Sequence, residues 1–199
     1  GEIQYVDMLR RHMMDGIVMC AHTSHPGDYW TSIHRPIVAF DRVLGDGISS
    51  IGSDHEQGGR LIAQMLIRNG AKHVVMIGGP RDQFFDLAAR GEVEEGPFDL
   101  GKTTFPTVRY YLTLEQELTS VGVKYEYVEA GEVMDFAGYH RAVSNALDKV
   151  TTDGVDAVVS SDIGASFCVR EALSRGISIP DELQIVAYDG TYLTDLAGM

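Results

Sequence analysis

Short apolar runs rich in Val and Ile recur along the chain at Gly16–Cys20, Pro36–Phe40, Ile48–Gly52, His73–Ile77, Tyr125–Val128, Asp156–Ser160 and Gln184–Tyr188. They are continuously apolar, a pattern that predicts strands buried on both faces of a parallel sheet. Helical patterns lie between most of them, at Ile3–Met13, Glu56–Asn69, Thr107–Val121, Phe136–Val150 and Ile163–Arg175. In the last, Ala165, Cys168, Val169 and Leu173 follow the three-four spacing of a buried stripe. Asp162 stands at the expected N-cap of that helix, and Gly70 and Gly176 stand where two helices should stop. Strands alternating with helices predict an α/β doubly wound fold.

The final strand pattern delivers a carboxylate, Asp189, at the point where the strand ends. In open α/β sheets, ligands collect just beyond the carboxyl ends of the strands. Asp189 is therefore a candidate ligand contact. The alternative reading is a turn-opening residue before Gly190.

Composition narrows the class. The chain has 199 residues, 44% of them hydrophobic, which is enough for one or two packed lobes. No apolar run reaches the roughly 18 residues of a membrane span, and no signal-peptide pattern opens the chain. The two cysteines, Cys20 on a strand and Cys168 on a helix, read as reduced core thiols and favour a cytoplasmic setting. The net charge of −13 opposes direct grip on a phosphate backbone by this segment.

Several stretches carry a more specific signal. The run from Ile179 to Gly190 resembles a signature of the lactose-repressor/galactose-repressor family of bacterial transcription regulators. Met14–Cys20, Arg35–Arg42, Ile51–Ala63, Asn69–Pro80 and Ser160–Ala165 resemble further segments of that family, in the family's order. The resemblance covers nearly the whole chain. It implies a two-lobed fold like that of periplasmic binding proteins, incomplete here at both ends. The expected divisions are 1–53 for part of the N-terminal lobe and 54–189 for the C-terminal lobe, with an insertion at 81–105. Residues 190–199 would begin a return to the first lobe. The resemblance also implies a DNA-reading head, absent from this chain, and a homodimer.

Members of this family bind an effector, usually a sugar, between the lobes. By position, Asp41 and Arg42 would face it from the first lobe, and Ser161, Asp162 and Asp189 from the second. A carboxylate accepts from sugar hydroxyls and a guanidinium fork donates to oxygens. Alternatives stay open: Asp41 and Arg42 form a local surface ion pair, and Asp162 only caps its helix. The family's effector-gripping Arg falls in register on Tyr110, with Arg109 beside it, so either residue could serve. Phe136 is a candidate for an aromatic that the family often places after Gly131 and Glu132.

The stretch Arg81–Phe105 is far longer than the typical connection of about 4–6 residues, and reads either as a cover over the effector site or as a surface excursion of no consequence. It contains Gly96–Thr103, which satisfies the P-loop pattern. No buried strand leads into that pattern and no helix starts at its Lys, so nucleotide binding is not expected. His22, His25, Asp28 and His34 lie close in sequence without regular metal-ligand spacing and read as solvated loop residues. No nucleophile–base arrangement is legible.

The expected function is the effector-binding core of a sugar-responsive transcription regulator, without catalysis, cofactor, metal or membrane partner. A solute-binding protein of a sugar transport system is the alternative.

Overall fold

The structure, a computed structural model, describes residues 2–11, 14–20, 29–42, 44, 47–80, 84, 105–131 and 135–198. The chain divides into two compact units, Gly1–His55 with Asp82–Arg109, and Glu56–Arg81 with Tyr110–Met199.

The first unit holds α1 (Glu2–Arg11) and three parallel strands, β1 (Ile17–Met19), β2 (Ile37–Phe40) and β3 (Ser49–Ile51). Register pairs Ile17 with Ile37 and Val38 with Ser49. Val6, Ile17, Trp30, Ile33 and Ile37 form its core. Among the described residues, only one face of this sheet is covered. Ile17, Ile37 and Ala39 are buried, whereas Val18, Phe40 and Ile51 on the alternate positions are exposed. The expectation of strands buried on both faces fails here. Cys20, beyond the short β1, is likewise exposed and not a core thiol.

The second unit contains α2 (His55–Arg68) from its second residue onward, together with β4 (His73–Gly78), β5 (Lys124–Glu129), β6 (Ala157–Ser160) and β7 (Gln184–Ala187). It also holds most of α3 (Pro106–Ser120), then α4 (Phe136–Thr152), α5 (Asp162–Ser174) and α6 (Tyr192–Ala197). All its strands are parallel, in the order β5-β4-β6-β7. The doubly wound α/β expectation holds. β4 and β6 are buried along their whole length, as continuous apolar strands should be. β5 is an edge strand whose Lys124, Glu126 and Glu129 keep it partly wet. The main core joins Val75, Ile77, Val158 and Leu183 to Val143 and Leu147 of α4 and Cys168 of α5. Burial pushes the Cys168 thiol up to about 12, so it stays protonated.

Gly70 and Gly176, at φ 80° and 74°, stop α2 and α5 as expected. α6 was not legible in the sequence pattern. It is six residues long, capped by the Thr191 hydroxyl and closed at Gly198. The N-cap of α5 is Ser161, and Asp162 is the first helical residue, which corrects the expected boundary by one.

A partly exposed ionic cluster ties β5 to its neighbours. The Glu126 carboxylate is 2.7 Å from His73 Nε2, 3.1 Å from Lys124 Nζ, and also receives the Lys149 ammonium. The Lys149 bond outweighs the cost of burial and, with Lys124 and His73, draws the Glu126 pKa from 4.5 down to about 2. A depressed carboxylate stabilises the fold above its unfolded pKa, and that stability is lost as pH falls through the folded value. We therefore expect the urea midpoint to fall between pH 4.5 and pH 2, and to fall less steeply in Glu126→Gln. Equal slopes in the two proteins would contradict this.

Candidate functional site

The strand order of the second unit reverses between β4 and β6: the chain passes from β4 outward to β5, then returns to the other side for β6 and β7. Such a switch point opens a crevice at the carboxyl ends of the two strands and gathers ligands. Gly78 and Gly79 end β4 there, and Ser160 and Ser161 end β6. The Ser160 hydroxyl donates to the Ile77 carbonyl at 2.9 Å and locks the two strand ends together.

Ser161 and Asp162 lie at this edge but are committed internally. Ser161 Oγ accepts from Gly164 N at 3.4 Å and donates to Tyr139 Oη at 3.2 Å. Asp162, only 1% exposed, accepts from the backbone N–H groups of Gly190 (3.2 Å) and Thr191 (2.5 Å). Burial works to raise its pKa. The bonds from Thr191, Gly190 and Asp189 outweigh that and hold the carboxyl below its usual value. Asp162 thus fastens the loop after β7 to the start of α5.

Asp189 emerges from that loop. Its Oδ2 accepts from Asp162 N at 3.1 Å, while Oδ1 has no partner among the described residues. Burial raises its pKa. The backbone bond from Asp162 N opposes that rise, and the Asp162 carboxylate adds to it. An acceptor fixed through one oxygen and open at the other is a receptor for a hydroxyl donor.

Tyrosines surround the edge. Tyr110 packs on Tyr188 with ring centroids 4.9 Å apart, and Tyr111 Oη lies 3.1 Å from Tyr188 Oη. Tyr127 stacks near Tyr111 and donates to the Gly79 carbonyl at 2.6 Å. Gly58 and Gly59 let α2 approach α3 closely. A Cβ on Gly58 would meet the Tyr110 ring at 3.3 Å, and one on Gly59 would meet the Tyr110 carbonyl at 2.8 Å. Phe136, the first residue of α4, is half exposed and meets Phe167 edge to face at 6.2 Å. Tyr188, Tyr127 and Tyr139 were missed in the sequence reading. A tyrosine at a strand end is the one signal that could have found Tyr188.

In the first unit, Asp41 follows β2 in a left-handed conformation at φ 49°. Its Oδ1 lies 2.9 Å from His55 Nε2, and a Cβ on Gly52 would come within 2.8 Å of the same oxygen. The Arg42 guanidinium lies 3.9 Å above the Phe105 ring. His55 was also missed. Arg109 is half-buried on α3, with no ion pair among the described residues.

Among the described residues, no group of His, Cys, Asp and Glu could hold a metal ion, and no helix is long and apolar enough to cross a membrane. The expectations for His22, His25, Asp28, the P-loop pattern at 96–103 and most of the 81–105 insertion lie outside the described residues. Of that insertion Phe84, which is buried, and Phe105 are described.

No family model matches the chain. The sucrose operon repressor of Streptococcus mutans is 29% identical over 195 residues, covering 98% of this chain and 52% of the relative. The ribose operon repressor of Bacillus subtilis is 26% identical over 198 residues, covering 94% of this chain and 50% of the relative. The chain thus spans about half the length of these curated relatives, which are repressors and not enzymes. Two solved structures share the fold. A periplasmic binding protein/LacI transcriptional regulator from Alkaliphilus metalliredigens, complexed with D-xylulofuranose, gives a TM-score of 0.71 at 23% identity, over 98% of this chain and 64% of that one. A ribose operon repressor protein from Lactobacillus acidophilus gives 0.73 at 21% identity, over the same shares. The resemblance read from the motifs is shown: the chain is related to LacI-type sugar-operon repressors and folds as LacI-family regulators do.

Proposed function

We propose that this chain is the effector-binding core of a LacI-type transcription regulator, with a carbohydrate as effector. The observation that carries this reading is the relationship to sucrose and ribose operon repressors along nearly the whole chain. The site geometry supports it. Asp189 at the switch point, with tyrosine rings beside it, offers an acceptor and stacking faces for a hydroxylated ring. We assign Asp189, Tyr110 and Phe136 to the ligand, with Asp41, Arg42 and Arg109 as further candidates. Ser161 and Asp162 serve it by positioning.

The regulator would act in the cytoplasm as a homodimer. Ligand occupancy would select between conformations that hold operator DNA with different affinity. Contact with DNA would fall to segments outside this acidic chain.

The test uses the complete protein. Calorimetry against sucrose, ribose, cellobiose and xylulose is expected to find at least one ligand, and that sugar is expected to change operator binding in a gel shift. Asp189→Ala is expected to weaken that sugar by about 2–5 kcal/mol, with a smaller loss of stability because Asp162 N loses its acceptor. Unchanged affinity would return Asp189 to a turn-forming role.

A further inference from the structure

Two adjacent glycines, Gly58 and Gly59, stand inside α2 rather than at its ends. Glycine in a helix interior costs stability against alanine, so the pair answers a packing need. α3 creates that need. A Cβ on Gly59 would lie 2.8 Å from the Tyr110 carbonyl oxygen, 3.1 Å from Thr113 Cβ and 3.2 Å from Leu114 N. The two helices therefore meet backbone to backbone, inside the second unit. Packed helices usually lock by setting side-chain ridges into grooves. A glycine pair offers no ridge, so α2 presents a smooth surface to α3 at this point.

The α3 side of the seam is polar and unsatisfied. Tyr110 and Thr113 lie one turn apart and are 5% and 4% exposed. Tyr110 Oη and Thr113 Oγ1 are buried with no hydrogen-bond partner among the described residues. Such groups are nearly always satisfied, because a missing partner costs stability. A helical threonine has a ready partner in the carbonyl four residues back. Thr119 on the same helix uses it and donates to the Glu115 carbonyl at 2.7 Å. Thr113, pressed against Gly59, does not. Across the seam Arg60 reaches Glu117 at 3.7 Å, a long pair between partly exposed groups that holds the helices only weakly.

The seam lies where the ligand candidates converge. α2 and α3 both begin in the first unit and continue in the second, His55 and Pro106–Arg109 belonging to the first. α3 carries Arg109 and Tyr110 in its first turns, and α2 starts at His55, which holds Asp41 at 2.9 Å. Packed helices change place by small sliding movements. A ligand shifts such an equilibrium only by its differential affinity for the two positions. The position described here bears the cost of an unpaired Thr113 hydroxyl. A position that turns this hydroxyl to the Arg109 carbonyl does not.

Building on the effector-core reading, we infer that the α2–α3 seam is a sliding joint, and that the effector selects the position in which the Thr113 hydroxyl is paired. Gly58 and Gly59 form its smooth surface. Thr113 is a positioning residue, which sets effector affinity without touching the ligand.

The experiment uses the complete protein, with sucrose, ribose, cellobiose and xylulose as probes. Thr113→Val replaces the hydroxyl by a methyl group. Without sugar its urea midpoint is expected to stay the same or rise, since an unpaired buried hydroxyl is lost. In calorimetry it is expected to bind the wild type's sugar about fivefold more weakly or worse, since the described position no longer bears that cost. Thr113→Ser keeps the hydroxyl and is expected to bind that sugar within about twofold of wild type. A lower urea midpoint in Thr113→Val shows that the hydroxyl is already bonded, and overturns the inference. Unchanged or tighter sugar binding by Thr113→Val overturns it too, as does a loss in Thr113→Ser equal to that in Thr113→Val. Each of these leaves the effector-core reading standing. If the wild type binds none of the four sugars, both fall.

Discussion

Gly138→Ala is expected to destabilise the second unit by about 3 kcal/mol or more, at the upper end of overpacking costs. Gly138 lies in the first turn of α4, where its N–H donates to the capping Asp135 carboxylate at 2.8 Å. A Cβ there would sit 1.9 Å from the Ala130 carbonyl oxygen and 2.5 Å from Asp135 Oδ2. The first obstacle is backbone at the end of β5 and cannot rotate aside. Relief requires α4 to move off the sheet, which breaks its cap and loosens Tyr139, Val143 and Leu147 in the core. The melting temperature is expected to fall by about 6–12 °C, given about 2–4 °C per kcal/mol for a protein of this size. A fall of less than about 2 °C would show that α4 shifts freely and that the close approach is not a constraint.

Asp162→Ala is expected to cost about 1–3 kcal/mol, because it removes a buried carboxylate that accepts from the backbone N–H groups of Gly190 and Thr191. It should also weaken the sugar, since the loop that carries Asp189 loses its anchor. Its larger loss of stability separates it from Asp189→Ala, where one backbone N–H, that of Asp162, loses its acceptor. Acidification reports the same bond. The carboxyl titrates below its usual value, so its contribution is complete above the ordinary carboxylate range and disappears as pH falls through the lowered one. Asp162→Asn should show a flatter acid limb in urea denaturation. If Asp162→Ala keeps full stability yet loses the sugar, Asp162 contacts the ligand and is not an anchor.

Much of the fold is legible in local pattern. Apolar runs marked all seven strands among the described residues to within a residue or two, because a strand's burial is written into consecutive side chains. Gly70 and Gly176 marked helix ends because the left-handed turn after a helix favours glycine. The six matched segments carried the family relationship, and the place of Asp189 beyond β7 followed from the strand ending there. Tertiary structure alone decided the rest, since it depends on partners far apart in the chain. The sequence left Asp162 between cap and ligand contact. The fold gives its carboxylate to Gly190 and Thr191, 28 and 29 residues away. It left Arg109 and Tyr110 as alternatives, and only the packing of α3 against Gly58 and Tyr188 buries Tyr110 and leaves Arg109 half-exposed. Glu126 and His73 stand in two separate strand runs of the sequence, yet they meet because β4 and β5 lie side by side. Periodicity states which way a side chain faces. It does not state what the opposite element brings to it, and for Tyr110, Asp162 and Glu126 that opposite element sets the chemistry.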